Sequence, residues 1–409
     1  MPVEFADILA ARDRIRGGVY ETPCSPSPAL SELTGCEIHC KLESLQRTGS
    51  FKERGARNAL LLLSDDERKR GVIAASAGNH ALALAWHGAA LGSPVTVVMP
   101  RYAPLVKQAN CRRYGATVIL HGESFAEAKT RADEIAAAEG RTYIHGYDDP
   151  AIIAGQGTIG LEVLEQTPQV DAIVIPVGGG GLLAGVALAV KQLRPEVQII
   201  GVEPTASQCF AAALERGAPC RVDSQPTLAD GLAVSVAGAN ALELARSRMD
   251  KLVMVTEQEL ALAVVRLMEL EKTVVEGAGA ASLAGLLNDK LPELRGKRVV
   301  LLLCGGNIDL KTLPRLIDTA LVADGRLARF TAVISDRPGG LAKLTSILAA
   351  TGVSVKEIDH DREFSGPNVA AVNVLCTVET RDAAQIEELY RELTAAGVKH
   401  FAHVGRGQT

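Results

Sequence analysis

The stretch "VDAIVIPVGGGGLLAGVALAV", residues 170–190, joins an apolar run, four glycines and an alanine-rich apolar segment. From residue 172 to 177 the first run is continuously apolar and rich in β-branched residues, as a strand covered on both faces should be. The last segment has the composition of a helix packed against a sheet. A strand, a glycine turn and a helix in this order are the building unit of a parallel α/β sheet.

The same cycle extends outward from "CEIHCKLES" at residue 36 to "VVLLLCGGN" ending at residue 307. Further strands are predicted at "GVIAASA" (71–77), "PVTVVMP" (94–100), "ATVILHG" (116–122), "VQIIGVE" (197–203) and "RVVLLLC" (298–304). We therefore predict an α/β fold, with parallel sheets and helices on both faces, for residues 1–320. Two subdomains are expected there, the smaller at roughly residues 50–150.

A different pattern begins after residue 307. The mixed segment "DLKTLPRLIDTALVADGRLA", 309–328, reads as a connecting helix or linker. Residues 328–409 then alternate as strand, helix, strand, strand, helix, strand, with one of the strands predicted at 368–380. The order βαββαβ predicts a small ferredoxin-like domain.

Composition excludes several classes of function. The formal net charge of −5 and the absence of a long basic run argue against a nucleic-acid partner. No segment has 18 consecutive apolar residues and the N-terminus lacks the pattern of a signal peptide, so we expect a cytoplasmic protein without a membrane partner. Eight cysteines without a CxxC pair indicate reduced thiols. "CEIHC", 36–40, alternates as a strand does, and we predict no metal site.

The glycine turn at 178–181 offers backbone N–H groups and a helix N-terminus to an anion such as a phosphate. A nicotinamide dinucleotide is a competing ligand, because GxGxxxG can be written from Gly179 to Gly185 and the next strand ends at Glu203. That motif is not the stricter GxGxxG, and its strand is not the first of the chain. A purely structural turn is the third alternative.

"SFKERGARN", 50–58, places Lys52 in the first turn of a helix. The positive end of the helix dipole and the nearby Arg54 and Arg57 disfavour its protonated form, which predicts a lowered pKa. A neutral lysine can form a Schiff base with a carbonyl, and pyridoxal phosphate supplies both the carbonyl and a phosphate for the glycine turn. The alternative is a solvated lysine at a helix end.

"SAGNHA", 76–81, ends a predicted strand and begins a helix, at the carboxyl edge of the sheet where ligands of open α/β sheets bind. We predict that Ser76, Gly78, Asn79 and His80 hold a substrate carboxylate and that Asn79 also contacts a cofactor hydroxyl. N-capping by Ser76 or Asn79 is the alternative explanation. The last strand delivers "CGGN", 304–307, to the same edge.

These motifs, with "AGQGTIGLE" (154–162) and "EGAGAAS" (276–282), resemble in order and spacing the fold-type II, tryptophan synthase β-like pyridoxal-phosphate enzymes, and among them the threonine dehydratases. The resemblance covers nearly all of the first 320 residues. It implies that Lys52 forms the Schiff base, that Phe51 packs beside the cofactor ring and that Asn79 bonds its phenolic oxygen. The phosphate-binding residues that it implies are Gly178, Gly179, Gly180, Gly181 and Leu182.

The same resemblance implies that Cys304 faces the pyridine nitrogen, where the family usually has a serine. A thiol is a weaker hydrogen-bonding partner than a hydroxyl. Neither protonates the ring as a carboxylate would, so the ring is a weaker electron sink and elimination of a β-substituent is favoured.

The implied reaction is α,β-elimination by a lyase that converts L-threonine to 2-oxobutanoate and ammonia and also acts on L-serine. Isoleucine supply and threonine breakdown both remain open as its role. One alternative is a serine racemase or serine dehydratase of the same fold, but Ala77 stands where the racemases have a second serine. Their divalent-metal site is also incomplete, since Cys209 replaces the acid that would accompany Glu203. A non-catalytic amino-acid sensor is the remaining alternative.

"ISDRPGGLAKLTSILAATGVSV", 334–355, resembles the opening of an ACT domain, a regulatory module that binds amino acids between paired copies. The resemblance implies allosteric control by an amino-acid effector and a homodimer or homotetramer. Gly339 and Gly340, at a predicted helix start, could receive the effector's carboxylate. A ferredoxin-like domain used only for subunit contact is the alternative.

Overall fold

A computed structural model of the chain describes residues 3–362 and 370–403. They divide into two units, residues 1–308 and 309–409. The helices of the N-terminal unit are α1 (Phe5–Ile15), α2 (Pro28–Thr34), α3 (Lys52–Leu62), α4 (Asp65–Arg70), α5 (Asn79–Leu91), α6 (Leu105–Arg113), α7 (Phe125–Glu139), α8 (Pro150–Gln166), α9 (Gly181–Leu193), α10 (Cys209–Arg216), α11 (Ala239–Ala245), α12 (Glu257–Leu270) and α13 (Gly277–Ala284). Its strands are β1 (Cys24–Pro26), β2 (Glu37–Lys41), β3 (Val72–Ala75), β4 (Val95–Met99), β5 (Thr117–Leu120), β6 (Thr142–Tyr143), β7 (Ala172–Pro176), β8 (Gln198–Pro204), β9 (Lys251–Val255) and β10 (Arg298–Leu302).

Two sheets organise the N-terminal unit. The larger has the order β1-β2-β10-β7-β8-β9, in which β1 is antiparallel and the other strands are parallel. The smaller, β5-β4-β3-β6, is parallel throughout. Every residue of β3, β4 and β7 is buried, as expected of strands covered by helices on both faces. The predicted α/β fold with parallel sheets is confirmed.

Glycines allow α3, α8 and α9 to pack closely. A Cβ atom at Gly155 would lie 2.8 Å from the carbonyl oxygen of Arg54, and one at Gly185 would lie 2.4 Å from that of Ile153. Both positions face backbone, so a larger residue could be accommodated only by moving a helix. The glycines of "AGQGTIGLE" therefore hold α3, the helix that begins with Lys52, at a fixed distance from its neighbours.

A buried ionic network holds α3 in place through Arg54. Its members are Lys41, Glu43, Arg54 and Glu162. Arg54 Nη2 lies 2.7 Å from Glu43 Oε1, Arg54 Nη1 lies 2.5 Å from Glu162 Oε1, and Lys41 Nζ lies 2.6 Å from Glu162 Oε2. The side chains of Lys41, Glu43 and Arg54 have no exposed surface. Two cations and two carboxylates balance one another, which is how charges are tolerated inside a protein.

The C-terminal unit contains α14 (Leu313–Ala323), α15 (Gly340–Ala350) and α16 (Ala383–Ala395), with β11 (Leu327–Ser335), β12 (Ser354–Asp361), β13 (Ala371–Glu379) and β14 (Lys399–Ala402). Its antiparallel sheet has the order β12-β13-β11-β14. From β11 onward the predicted βαββαβ order is confirmed, and α14, which sequence assigned to a connector, groups with this unit. Residues 368 and 369 of the predicted third strand, and residues 404–409, lie outside the described residues.

Two further observations concern the cysteines and the length of the helices. All eight cysteines are free thiols. Among the helices that the structure describes, none combines the length and the apolar character needed to cross a membrane.

Candidate active site

The loop that precedes α3 is held against the loop that follows β10. The N–H of Phe51 donates to the carbonyl oxygen of Cys304 at 3.0 Å, and Asn307 Nδ2 donates to the carbonyl oxygen of Thr48 at 2.7 Å. Residues separated by about 250 positions in sequence thus form one surface, as expected where parallel strands end at the same edge of a sheet.

Lys52 is the first residue of α3 and is half-buried. Its Nζ donates to the carbonyl oxygen of Gly146 at 2.6 Å and lies 5.1 Å from the centre of the Phe51 ring. Burial lowers the pKa of Lys52 to about 8, although Cys304 and Glu276 act in the opposite direction. A neutral amine is therefore accessible near neutral pH.

The cause of that lowered pKa differs from the one inferred from sequence. Burial is the dominant cause, and neither Arg54 nor Arg57 contributes. Arg54 follows Lys52 by two residues and so points about 200° away around the helix. There its charge is balanced by Glu43 and Glu162. Proximity in sequence was a poor guide to the electrostatics of Lys52.

The segment 76–80 lies at the start of α5, where Ser76 Oγ accepts a hydrogen bond from the N–H of Gly78 at 3.3 Å. A Cβ atom at Gly78 would meet nothing within 4 Å, so this residue borders open space. The N–H groups of Asn79 and His80 donate to no protein acceptor in the described parts of the chain. Unpaired N–H groups at a helix N-terminus favour a carboxylate.

The His80 ring is buried beneath this loop, with Nε2 3.1 Å from the carbonyl oxygen of Ile144. Burial, assisted by Lys52, lowers the pKa of His80 to about 3. The imidazole is therefore neutral, and the ring nitrogen near Ile144 carries the proton that the carbonyl accepts. The His80 side chain therefore cannot offer a positive charge to the substrate carboxylate. Its backbone N–H is unpaired and can donate a hydrogen bond to that carboxylate.

The Asn79 side chain connects three loops. Its Nδ2 donates to Glu276 Oε1 at 2.6 Å, and its Oδ1 accepts from Asn307 Nδ2 at 2.9 Å. Glu276 is buried, and burial followed by the nearby Asp230 raises its pKa to about 7. Sequence reasoning did not assign Glu276, although an acid before a run of small residues at the ligand-binding edge was a usable signal.

The glycine turn presents a row of unpaired donors. Within residues 3–362 and 370–403, no protein acceptor is bonded to the N–H groups of residues 178–182. Gly180 has φ +92°, a left-handed conformation that glycine adopts without strain, and α9 begins at Gly181. Five consecutive free N–H groups at a helix N-terminus fit a phosphate.

Tyr147 joins the glycine turn to the lysine. A Cβ atom at Gly179 would lie 2.2 Å from the Tyr147 ring, and one at Gly181 would lie 2.1 Å from the Tyr147 carbonyl oxygen. The adjacent residue, Gly146, is the acceptor for Lys52. Residues 146–147 therefore contact both the amine and the candidate phosphate site. No motif in the sequence marked them.

Cys304 is buried, and its Sγ lies 3.6 Å from the carbonyl oxygen of Ala278. Burial, then the neighbouring Glu276, raises the pKa of the thiol. Cys304 is therefore a neutral, weak hydrogen-bonding group beside the lysine, and its position is compatible with the role that the resemblance implies.

Glu203 stabilises the start of α10. Its two carboxylate oxygens accept from the N–H groups of Phe210 at 2.7 Å and Ala211 at 3.0 Å, while Cys209 Sγ donates to the carbonyl oxygen of Gly178 at 3.5 Å. Both oxygens are thus used by backbone. In the part of the chain that the structure describes, no three His, Cys, Asp or Glu side chains are grouped as metal ligands.

Comparison with known proteins agrees with this geometry. The family model "Pyridoxal-phosphate dependent enzyme" matches residues 15–305. L-threonine ammonia-lyase of Thermotoga maritima is 44% identical over 395 residues, which cover 97% of this chain and 98% of the relative.

Two solved structures are similar to the structure of this chain. The processed form of threonine deaminase isoform 2 from Solanum lycopersicum has a TM-score of 0.73 and 35% identity, covering 78% of this chain and 90% of that one. Maize serine racemase has a TM-score of 0.74 and 32% identity, covering 78% and 98%. The expected fold type and cofactor are confirmed, and the chain belongs to the family of pyridoxal-phosphate-dependent enzymes.

Proposed function

We propose that this enzyme is a threonine ammonia-lyase that converts L-threonine to 2-oxobutanoate and ammonia and accepts L-serine as a second substrate. The main observation in support is that residues 146–147 contact both Lys52 and the glycine turn. The pKa of Lys52 is lowered, and the turn has five unpaired N–H groups. The T. maritima relative, named L-threonine ammonia-lyase and similar over nearly its whole length, supports the choice of reaction.

The residues present suit pyridoxal phosphate. We assign its phosphate to the N–H groups of Gly178, Gly179, Gly180, Gly181 and Leu182. Phe51 would lie beside its ring, Asn79 would donate to its phenolic oxygen, and Cys304 would face its pyridine nitrogen. Bound there, the cofactor supplies a carbonyl for the substrate amine and an electron sink that acidifies the Cα–H bond.

Lys52 is the catalytic base in this proposal. With the cofactor and substrate bound, the neutral Nζ of Lys52 would take the proton from the substrate Cα. A pKa of about 8 keeps a useful fraction of the amine neutral near neutral pH. The Gly146 carbonyl oxygen, 2.6 Å from Nζ, accepts a hydrogen bond and keeps the amine at one place in the cleft. Positioning of this kind is a large part of what an enzyme contributes.

The substrate carboxylate is assigned to the start of α5. The unpaired N–H groups of Asn79 and His80 would donate to it, with the positive end of the helix dipole adding to the attraction. Ser76 lies beside them, and Gly78 leaves the space that the substrate needs. A carboxylate held at this point fixes the orientation of the Cα–H bond toward Lys52.

Elimination is favoured over racemisation by two features. The thiol of Cys304 is neutral and weakly hydrogen-bonding, so it leaves the cofactor a modest electron sink. Ala77 offers no hydroxyl to act as a second acid or base on the opposite face. Serine racemase structures share the fold, so a racemase remains the second candidate. Lys52, the glycine turn and Asn79 are all present, which argues against a non-catalytic sensor.

The proposal extends to the C-terminal unit and to the cellular setting. We assign an amino-acid effector to the turn before α15, where Gly339 has φ +95° and Gly340 begins the helix. The βαββαβ order supports an ACT-like regulatory domain and assembly as a homodimer or homotetramer. Eight free thiols support a cytoplasmic enzyme. Calorimetric titration with single amino acids tests whether an effector binds, and light scattering tests the oligomeric state.

The decisive assay is keto-acid formation from L-threonine by the holoenzyme. Wild type should form 2-oxobutanoate, Lys52→Ala should not, and Lys251→Ala should match wild type because that lysine lies in an exposed ion pair on β9. Appreciable steady-state turnover by Lys52→Ala would remove Lys52 from its role. Production of D-serine from L-serine, without keto acid, would favour the racemase.

A further inference from the structure

Glu276 is a buried carboxyl group for which the reaction described above has no use. It is 5% exposed, yet in the described residues no cation forms an ion pair with it. Although it precedes α13, its side chain does not cap that helix. Lys107 lowers the pKa of Glu276 from a distance, and the charge of Glu276 in turn raises the pKa of Lys52. A buried acid without an ion-pair partner opposes folding, so its presence calls for another reason.

The Glu276 carboxyl accepts hydrogen bonds from the Asn79 amide and from the backbone N–H of Asn307. Glu276 Oε1 accepts from Asn79 Nδ2 at 2.6 Å, and Asn79 Oδ1 accepts from Asn307 Nδ2 at 2.9 Å. Asn307 is itself held, because the same Nδ2 donates to the Thr48 carbonyl oxygen at 2.7 Å. The chain from Glu276 to Thr48 thus engages both ends of the Asn79 amide.

This chain determines which way the amide faces. If the Asn79 amide were rotated by half a turn, its oxygen would face the carboxylate of Glu276 and its NH2 would face the NH2 of Asn307. Two hydrogen bonds would be lost and two repulsive contacts created. The observed orientation leaves one N–H of Nδ2 available for a ligand.

We propose that Glu276 is a positioning residue that locks the Asn79 amide so that its remaining N–H faces the phenolic oxygen of pyridoxal phosphate. This inference rests on the proposed role of Asn79. Glu276 touches the amide and acts through it. Without the carboxylate, rotation of the amide would present an oxygen to the cofactor oxygen for part of the time.

The test measures the absorbance band of the bound cofactor and its dissociation constant in the full-length protein. A donor at the phenolic oxygen favours its ionised form, so losing that donor shifts the band. Glu276→Ala should shift the band and weaken cofactor binding by about tenfold, the effect of one hydrogen bond to a charged group. Glu276→Gln, which keeps an acceptor, should recover most of both. If Glu276→Ala fails to fold, a Glu276→Gln protein with a fully shifted band would overturn the proposal.

A double-mutant comparison separates this proposal from the role of Asn79. Asn79→Ala should shift the band by itself, and adding Glu276→Ala should then change nothing. Additive effects, or a silent Glu276→Ala, would overturn the positioning role and leave the Asn79 contact intact. A silent Asn79→Ala would overturn both. Glu259→Ala is the matched control: that buried glutamate caps α12, so its loss should lower thermal stability with the band unchanged.

Discussion

The lowered pKa of Lys52 predicts how the apoenzyme recombines with its cofactor. With a pKa of about 8 in place of the ordinary 10.5, about one amine in ten is neutral at pH 7, against roughly one in three thousand for an unperturbed lysine. Only the neutral amine attacks the carbonyl of pyridoxal phosphate. The fraction of reactive amine at pH 7 should therefore be about 300-fold larger than for an unperturbed lysine, and recombination should be faster accordingly.

Stopped-flow absorbance of apoenzyme mixed with pyridoxal phosphate, from pH 6 to 11, measures this directly. Because the neutral form accumulates as pH rises, the rate should increase about tenfold per pH unit below pH 8 and level off above it. Lys52→Ala gives the background from other lysines. Since the charge of Glu276 raises the pKa of Lys52, Glu276→Gln should move the plateau to lower pH. A rate that climbs without a plateau to pH 10 would refute burial as the cause.

Two further predictions concern the scaffold of the site. Arg54→Met leaves the carboxylates of Glu43 and Glu162 without one of their cations and should lower the free energy of unfolding by about 3–5 kcal/mol in urea denaturation. Gly181→Ala places a Cβ atom 2.1 Å from the Tyr147 carbonyl oxygen, so the turn must move, and the dissociation constant for pyridoxal phosphate should rise at least about tenfold in apoenzyme titration.

Each of these has a matched control. Arg12→Ala removes an exposed ion pair with Glu165 and should cost less than about 1 kcal/mol. Gly217→Ala adds a Cβ atom with nothing within 4 Å, at φ +75°, and should lower stability by about 1 kcal/mol without changing cofactor affinity. A loss below about 1 kcal/mol for Arg54→Met, or unchanged affinity for Gly181→Ala, would contradict the corresponding reasoning.

The elements of the fold were predictable because their signals are local. Continuous apolar runs mark most strands of the two sheets, and the βαββαβ order of the C-terminal unit follows from periodicity and from its Gly and Pro residues. Fold type and cofactor followed from several ordered motifs. Strands β1, β6 and β9 were not predicted, and the first two are only three and two residues long, too short to show a period.

Contacts across the fold were beyond the reach of sequence. Glu276 and Asn79 are 197 positions apart, and no local pattern relates them. Tyr147 lies against the glycine turn only because the smaller sheet brings it there. The pKa of Lys52 depends on burial, a property of the assembled site. The roles of the cofactor- and substrate-contacting residues remain predictions.

The buried network beneath α3 also constrains how this sequence can change. Lys41, Glu43, Arg54 and Glu162 carry two positive and two negative charges, and of the four side chains only Glu162 keeps a little solvent exposure. A substitution that alters one charge leaves a surplus, and only a second substitution of opposite sign restores the balance. Charge-changing substitutions at these four positions should therefore be tolerated only in compensating pairs. A library that randomises one position at a time, when selected for folded protein, should return mainly residues of the original charge.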